Sequence, residues 1–478
     1  MVNGKNKVKS EVKTLPILFS LLAAAFIGMF SEMSLNVALS SLMEELNITA
    51  STVQWLTTGY MLVISILVPI SALLIQWFTT RQLFLTSMIL FTFGTIIAAI
   101  SPTFTILLIG RLIQAAGTGL LIPLMFNTVL TITPPQKRGS IMGIVGLTIM
   151  FAPAIGPTLS GLIIQNLHWH WLFWVLLPFL LIIIGIGYVN IQNISEISKP
   201  KIDLISIILS TIAFGGLVYG LSSAGEGEGG WSSPATIYSL IMGIIALILF
   251  ILRQFMMKQP LVNLRAFKYP MFSLGVVLVM ISMMVPFAFL ILMPMYLQNS
   301  LGLTVFVSGL VLLPGGTVNG FMSPVTGYFF DKFGPKPLVI PGLLIGAVAL
   351  WFFTDLTTST TIITVIIIHC VLMFGMSMVM MPAQTNGLNQ LPRELYPHGT
   401  AIMNTLQQLA GAMGTALCVT IMSAGQENYM KDLDHPLGAN DIKEALTAGI
   451  QNGFMFGLIL AIIGFVFAIF IRKSHHSQ

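Results

Sequence analysis

Two charged side chains, Glu32 and Arg111, stand deep inside long apolar stretches of a 478-residue chain. Every other Asp, Glu, Lys and Arg falls at the edge of such a stretch or in a connection. A charge in hydrocarbon costs about 3 kcal/mol or more, so one that persists has a partner or work to do. A carboxyl group in that setting can take up and return a proton: protonated it is neutral and cheap to bury, ionised it attracts a cation. A guanidinium does not lose its proton, so Arg111 must pair or hydrogen-bond to carbonyls around a wet cavity. Two readings follow: Glu32 as a proton carrier beside a fixed cation, or a static Glu32–Arg111 ion pair.

The elements that position these groups are membrane spans. The chain is 56% hydrophobic and 8% charged, whereas a soluble domain carries about a quarter charged residues. About fourteen apolar stretches, from 16–40 to 449–472, are each near the roughly 20 residues a bilayer requires. Lys5, Lys7, Lys9 and Lys13 precede the first, which reads as an uncleaved signal anchor. With both ends in the cytoplasm, all of the 21 Lys and Arg except Arg111, Lys431 and Lys443 fall in inner connections and tails. Outer connections carry acids such as Glu44, Glu45, Glu226, Glu228, Asp432 and Asp434. That asymmetry supports an even span count and makes the formal charge of +5 a topology signal rather than a sign of nucleic acid. The two cysteines, Cys370 and Cys418, lie in apolar stretches and suggest no disulfide framework. The longest connection, 425–448, is polar and outside. The inner stretch 256–270 mixes basic and apolar residues and reads as a linker along the cytoplasmic face.

An internal repeat appears at an offset of 255 residues, where Ala72, Gln76, Phe78, Thr79 and Arg81 correspond to Gly327, Asp331, Phe333, Gly334 and Lys336. Both sets end an even-numbered span on the inner side, which is the pattern of a two-bundle transporter. The second copy, Gly327 to Lys336, resembles the loop motif of the major facilitator superfamily. Gly327 would let helices approach closely, and Asp331 would meet the positive N-terminus of the next helix. The first copy has Gln76 at the acid position and Thr79 at the glycine position, so the charged latch is expected in the C-terminal half. The resemblance implies a major facilitator fold that is all-α and polytopic: two six-helix bundles plus two extra central helices. The expected division is residues 1–195 for the N-terminal bundle, 196–265 for the inserted pair and linker, and 266–478 for the C-terminal bundle.

Further motifs narrow the resemblance to the fourteen-span drug:proton antiporter family. Ala152-Pro153-Ala154-Ile155-Gly156-Pro157-Thr158-Leu159-Ser160-Gly161 is similar to its fifth-span antiporter motif, with Ser160 in place of Gly. Prolines remove backbone donors and glycines leave a flat surface, so a kinked, pliable helix is expected. Arg111-Leu-Ile-Gln114-Ala-Ala-Gly117 resembles the fourth-span Arg-x-x-Gln-Gly motif, with Ala115 at the first glycine. Ser31 to Leu39 resembles the first-span signature, with Ser40 replacing Pro and the acid four rather than five residues before Asn36. One residue turns a helix by about 100°, so Glu32 would reach the cavity either by its longer side chain or from a different angle. Gln54-Trp55, Tyr60, Pro135 to Gly139, Trp169 to Phe173 and Gly399 to Ala416 extend the likeness over nearly the full chain. The resemblance implies proton coupling at Glu32 and Arg111. It also implies a substrate cavity at Asn36, Gln54, Tyr60, Gln114, Asn127, Asn404 and Gln407. Conformational roles would fall to Pro153, Gly156, Pro157, Gly161, Gly327, Asp331, Gly334 and Lys336.

Other features carry plainer readings. His168 and His170, beside Trp169 and Trp171, read as an interfacial anchor rather than metal ligands. A methionine cluster at Met373, Met376, Met378, Met380 and Met381 is either ordinary packing or the lining of an adaptable cavity. A primary pump would need a phosphate-cradling Gly-rich loop ending in Lys-Ser or Lys-Thr, and an enzyme a catalytic cluster; the sequence has neither. The expectation is a monomeric antiporter in the bacterial cytoplasmic membrane, without cofactor, metal or nucleic acid, driven by the proton gradient. It would export lipophilic, often cationic drugs; export of an endogenous amphiphile such as a lipid or fatty acid is the alternative.

Overall fold

The computed structural model describes residues 14–194, 197–226, 230–431 and 438–473. The N-terminal lysines, Glu228, Asp432 and Asp434 lie outside the described residues. Fourteen helices among those described are long and apolar enough to cross a membrane, and no strand occurs among them. In hydrocarbon a backbone polar group has no water to turn to, so a chain this apolar satisfies its amides within helices. The N-terminal bundle comprises α1 (Thr14–Ala38), α2 (Thr52–Trp77), α3 (Thr80–Ala99), α4 (Phe104–Ile132), α5 (Pro135–Asn166) and α6 (Trp171–Asn190). The inserted pair is α7 (Leu204–Gly225) and α8 (Pro234–Met256). The C-terminal bundle comprises α9 (Pro270–Ser300), α10 (Val305–Phe333), α11 (Lys336–Phe353), α12 (Ile362–Asn389), α13 (Arg393–Lys431) and α14 (Asn440–Ile469).

The repeat extends far beyond the inner loops. A shift of 255 residues lays α2 on α10, α3 on α11, α4 on α12 and the first part of α5 on that of α13, each to within a few residues. It also matches caps: Thr49 and Thr304 each accept from the backbone N–H three residues on, at 3.3 Å, satisfying an otherwise orphaned donor. The halves meet where α5 runs beside α10 and α2 beside α13. Near the cytoplasmic end of α5 and α10 the backbones almost touch. A Cβ on Gly139 would lie 2.5 Å from the Gly327 carbonyl oxygen, and one on Gly143 would lie 2.7 Å from the Pro324 Cα.

Helix α7 packs against both α2 and α13, and α8 covers it from outside. At their cytoplasmic ends, Arg253 grips Asp203 with Nε and Nη2 at 2.7 and 2.8 Å. That fork holds the Asp203 carboxyl well below the usual carboxylate range. Two helices are interrupted near the candidate site. Helix α1 tightens into a 3₁₀ turn at Leu35–Ala38, and α12 breaks between Ser377 and Met380. Such interruptions often mark hinges.

Three details differ from the sequence reading. The outer connection 425–448 is mostly helix, because α13 continues to Lys431 and α14 starts at Asn440. Hydropathy marks where the apolar layer ends, not where hydrogen-bonded turns end. The stretch 256–270 is tucked in rather than laid along the surface: Leu261, Val262 and Ala266 are buried. The Val262 N–H donates to Gln254 Oε1 at 3.2 Å. Trp169 is buried, its indole N–H donating to Glu45 Oε2 at 2.9 Å; only Trp171 of the outer pair is exposed like an anchor.

Candidate functional site

Arg111 is fully enclosed within the N-terminal bundle. Helix α4 carries it across to α1, where Nη1 donates to the Ser31 carbonyl oxygen and hydroxyl, both at 3.2 Å. The same nitrogen donates to Gln114 Oε1 at 3.1 Å, one turn along its own helix. Gln114 Nε2 passes the chain to Thr95 Oγ1 on α3 at 2.7 Å. The guanidinium carbon lies 4.2 Å from the centre of the Tyr60 ring on α2, a cation–π geometry. The Tyr60 hydroxyl is 2.7 Å from Thr118 Oγ1. Helices α1, α2 and α4 therefore meet at one guanidinium, and α3 joins them through Gln114. Its Nε and Nη2 have no hydrogen-bond partner, an expensive condition for buried charged donors.

Glu32 follows Ser31 on α1 and is itself buried. The ion pairs among the described residues are His168–Glu45, Arg253–Asp203 and Lys431–Glu427, so Glu32 and Arg111 are not in direct contact in this conformation. Beside Glu32 lies the fifth-span motif. A Cβ on Gly156 would sit 3.3 Å from Met33 Cβ and 3.6 Å from the Phe30 carbonyl oxygen. The buried stripe Ala152, Gly156 and Ser160, spaced by four, thus lies on the acid-bearing segment. Helix α5 also meets α10: Phe151 and Phe321 stack edge to face at 5.3 Å. Gly161 faces Phe306 across a would-be 3.8 Å contact. One helix, with Pro153 and Pro157 inside it, packs against both the acid-bearing segment and the opposite bundle.

The cytoplasmic side is shut across the bundle interface. Asp331 Oδ1 accepts from the Gly139 N–H at 2.7 Å, and Oδ2 accepts from the Ser140 N–H and hydroxyl at 2.8 and 2.6 Å. This corrects the expectation that Asp331 would cap the following helix. It reaches the first turns of α5, where unpaired N–H groups and the helix dipole attract an anion. Arg138 adds a second tie, Nη1 donating to Asn389 Oδ1 at 2.9 Å while its guanidinium lies over Tyr396. Gly334 has φ +82°, a left-handed conformation that favours glycine, and Lys336 is exposed at the start of α11.

The residues expected along the cavity separate in space. Tyr60 and Gln114 are enclosed in the Arg111 network. Asn36 is exposed and accepts from Thr57 Oγ1 at 3.1 Å, and Gln54 is half-buried nearby on α2. Asn127 is buried toward the inner end of α4. Asn404 donates to its own helix at the Thr400 carbonyl oxygen, 2.8 Å away, and Gln407 Nε2 is buried without a partner. A crevice between the bundles is lined by Met150 of α5, Asn319 and Ser323 of α10, and Met376, Met380 and Met381 of α12. The sequence assigns no role of their own to Ser31, Thr95, Thr118 and Ser140, although Ser31 and Thr118 stand within the first-span and fourth-span motifs. The first three are polar residues in apolar spans, a usable signal; Ser140 acts through a contact that leaves no local pattern.

Comparison with known proteins agrees with this architecture. Residues 21–415 match the family described as Major Facilitator Superfamily. The chain is 63% identical to the lincomycin resistance protein LmrB of Bacillus subtilis, over 98% of this chain and 98% of that one. It is 28% identical to the multidrug export protein EmrB of Haemophilus influenzae, over 84% of this chain and 79% of that one. Among solved structures, the human organic anion transporter MFSD10 aligns with TM-score 0.68 and 12% identity, covering 95% and 99% of the two chains. The proton:xylose symporter XylE aligns with TM-score 0.63 and 14% identity, covering 96% of each; at such identities these two show the fold alone. The chain belongs to the major facilitator superfamily, as a multi-pass membrane transporter rather than an enzyme.

Proposed function

We propose that this transporter exports lipophilic drugs, lincomycin among them, in exchange for protons entering through the Glu32–Arg111 centre. One observation carries the reading: Glu32 lies on a segment packed against the Gly156 face of α5, and α5 also packs along α10 of the other bundle. A change of charge at Glu32 therefore acts on the helix that sets how the bundles meet. With Glu32 ionised, the unpartnered Nε and Nη2 of Arg111 offer donors to its carboxylate, drawing α1 toward α4. With Glu32 protonated that attraction ends and α1 relaxes. Proton and cargo then favour different arrangements of one scaffold, the requirement for obligatory exchange. The methionine-lined crevice, narrow in this conformation, would on widening give the cargo an adaptable apolar surface, with Asn319 and Ser323 for orientation.

In everted vesicles, Glu32→Gln is expected to abolish ΔpH-driven lincomycin and ethidium transport while the protein still inserts and folds. Wild-type ΔpH-driven transport by that variant would refute Glu32 as the carrier. Normal proton exchange with no drug moved, alongside an altered envelope lipid profile in a deletion strain, would favour the amphiphile as cargo.

A further inference from the structure

The 255-residue offset pairs the interiors of the two bundles as well as their outlines. It sets Gln114 against His369 and Tyr60 against Gly315. In the N-terminal bundle those positions belong to the Arg111 centre. In the C-terminal bundle the counterparts of Ser31, Glu32 and Arg111 are Pro286, Phe287 and Ile366, leaving His369 as the ionisable group among the five matched positions.

The surroundings of His369 are built for it. The side chain is 3% exposed. Its ring lies on Phe289 of α9, with centroids 4.4 Å apart and planes 13° from parallel. A Cβ at Gly315 of α10 would collide with the imidazole, whose Cγ would be 2.7 Å away, so glycine there leaves the space the ring occupies. Nδ1 is buried and has no hydrogen-bond partner. A histidine kept only for packing normally has its buried nitrogens bonded, and leaving one bare costs about 1–3 kcal/mol.

A polar seam leads from this ring to the central crevice. Gly315, Asn319 and Ser323 step down α10 at intervals of four, and His369, Met373 and Ser377 step down α12 in the same way. The strips interlock: Asn319 Nδ2 is 3.6 Å from Met373 Sδ, and Thr326 Oγ1 donates to the Ser377 carbonyl oxygen at 3.0 Å. Asn319, Ser323 and Ser377 also line the crevice.

We propose that His369 is a second proton-binding site, the C-terminal counterpart of the Glu32–Arg111 centre. This deepens the antiport reading and rests on it only for the direction of transport. The proton comes from water on one side and returns to water on the other; only an N–H bond forms and breaks. Among the described residues no charged group faces the ring. Helix α9 presents Phe289 and carries Tyr296 at its outer end, bonded to the Thr357 carbonyl oxygen. Helix α10 presents Gly315 and carries Tyr328, Asp331 and Lys332 at its inner end, while Lys336 of α11 is also at the inner end. Asp441, Lys443 and Glu444 of α14 lie at the outer end, and Cys370 is the neighbour on α12 itself. An imidazolium here has only the Phe289 face to balance it, so protonation favours states in which α10 and α12 part and water enters the seam. Since α10 also carries Asp331, such a change reaches the cytoplasmic closure.

The test needs no substrate. Spin labels at Gln136 and Lys332, in protein carrying Cys370→Ala and Cys418→Ala, report the cytoplasmic opening in nanodiscs from about pH 5 to 9, the range a histidine can govern. Wild-type protein is expected to open in two pH-dependent steps. His369→Gln should lose one step and Glu32→Gln the other. His369→Asn should repeat the His369→Gln result, which guards against one variant misfolding. Superposition of both His369 profiles on wild type overturns the proposal, as does a wild-type distance that ignores pH. If Glu32→Gln matches wild type while His369→Gln loses a step, His369 stands and the Glu32 reading falls.

Discussion

Positions 76 and 331 are the same place in the two halves, yet they do different things. Asp331 extends from the end of α10 to the start of α5 and receives three hydrogen bonds from Gly139 and Ser140. Gln76, at the end of α2, turns back on its own helix: Nε2 donates to the Ala72 carbonyl oxygen at 2.8 Å and lies 3.4 Å from His398 Nε2 on α13. The loops that follow match this division. Gly334 takes a positive φ before α11, whereas Thr79 has φ −70° and forms a capping box with Gln82 at the start of α3. The α5/α10 side thus closes with a charge on a helix N-terminus, and the α2/α13 side with a neutral amide near an imidazole. Repetition of the fold has preserved the outline and allowed the strength of closure to become one-sided.

That difference can be broken in order of severity. Gly327→Val places carbon where the Gly139 backbone already is. Overpacking of about 3 kcal/mol predicts a loss of roughly a hundredfold in the closed cytoplasmic state, read as permanent maleimide labelling of a cysteine at Gln136. Asp331→Asn keeps the shape and removes the charge. One charge-assisted hydrogen bond at a half-buried site is worth about 1.5 kcal/mol, so about a tenfold loss of efflux in everted vesicles is expected. Gln76→Ala should change the same efflux by only about twofold, since a long neutral contact of this kind is worth about 0.5 kcal/mol. Equal losses from Asp331→Asn and Gln76→Ala would erase the asymmetry. A larger loss from Gln76→Ala would reverse it.

Much of this was legible in the sequence, for identifiable reasons. Glu32 and Arg111 stand out because hydrocarbon makes any isolated charge conspicuous, and the span count follows from hydropathy and the placement of lysines and arginines. The repeat was visible at five positions and proved to run through whole helices. The partner of Asp331 was not legible: Ser140 is 191 residues away, and a contact between bundles leaves no periodic trace in either strand of sequence. The terminus within local reach of Asp331 is that of the next helix, which is why the sequence points there. His369 escaped notice because a neutral ring in an apolar helix does not register as a charge; only the repeat offset sets it against the N-terminal centre. The outer ends of α13 and α14 were underestimated because polar turns can continue a helix beyond the apolar layer.

The inserted hairpin is fastened to both halves. On the α2 side, Tyr219 stacks on Trp55 with centroids 5.7 Å apart, and a Cβ at Gly215 would lie 3.5 Å from Ile66. On the α13 side, the Trp231 indole N–H donates to Thr420, and a Cβ at Gly225 would lie 3.1 Å from the Ala416 Cα. In the proposed exchange cycle the halves rock, and α7 can then ride with only one of them, so one set of contacts would slip on every stroke. The hairpin is a friction clutch: it lets the machine turn, but charges each cycle an unfastening step that a chain lacking the insertion would not meet. Turnover of this transporter should then respond to how firmly a tryptophan grips a threonine at the outer rim, far from any proton.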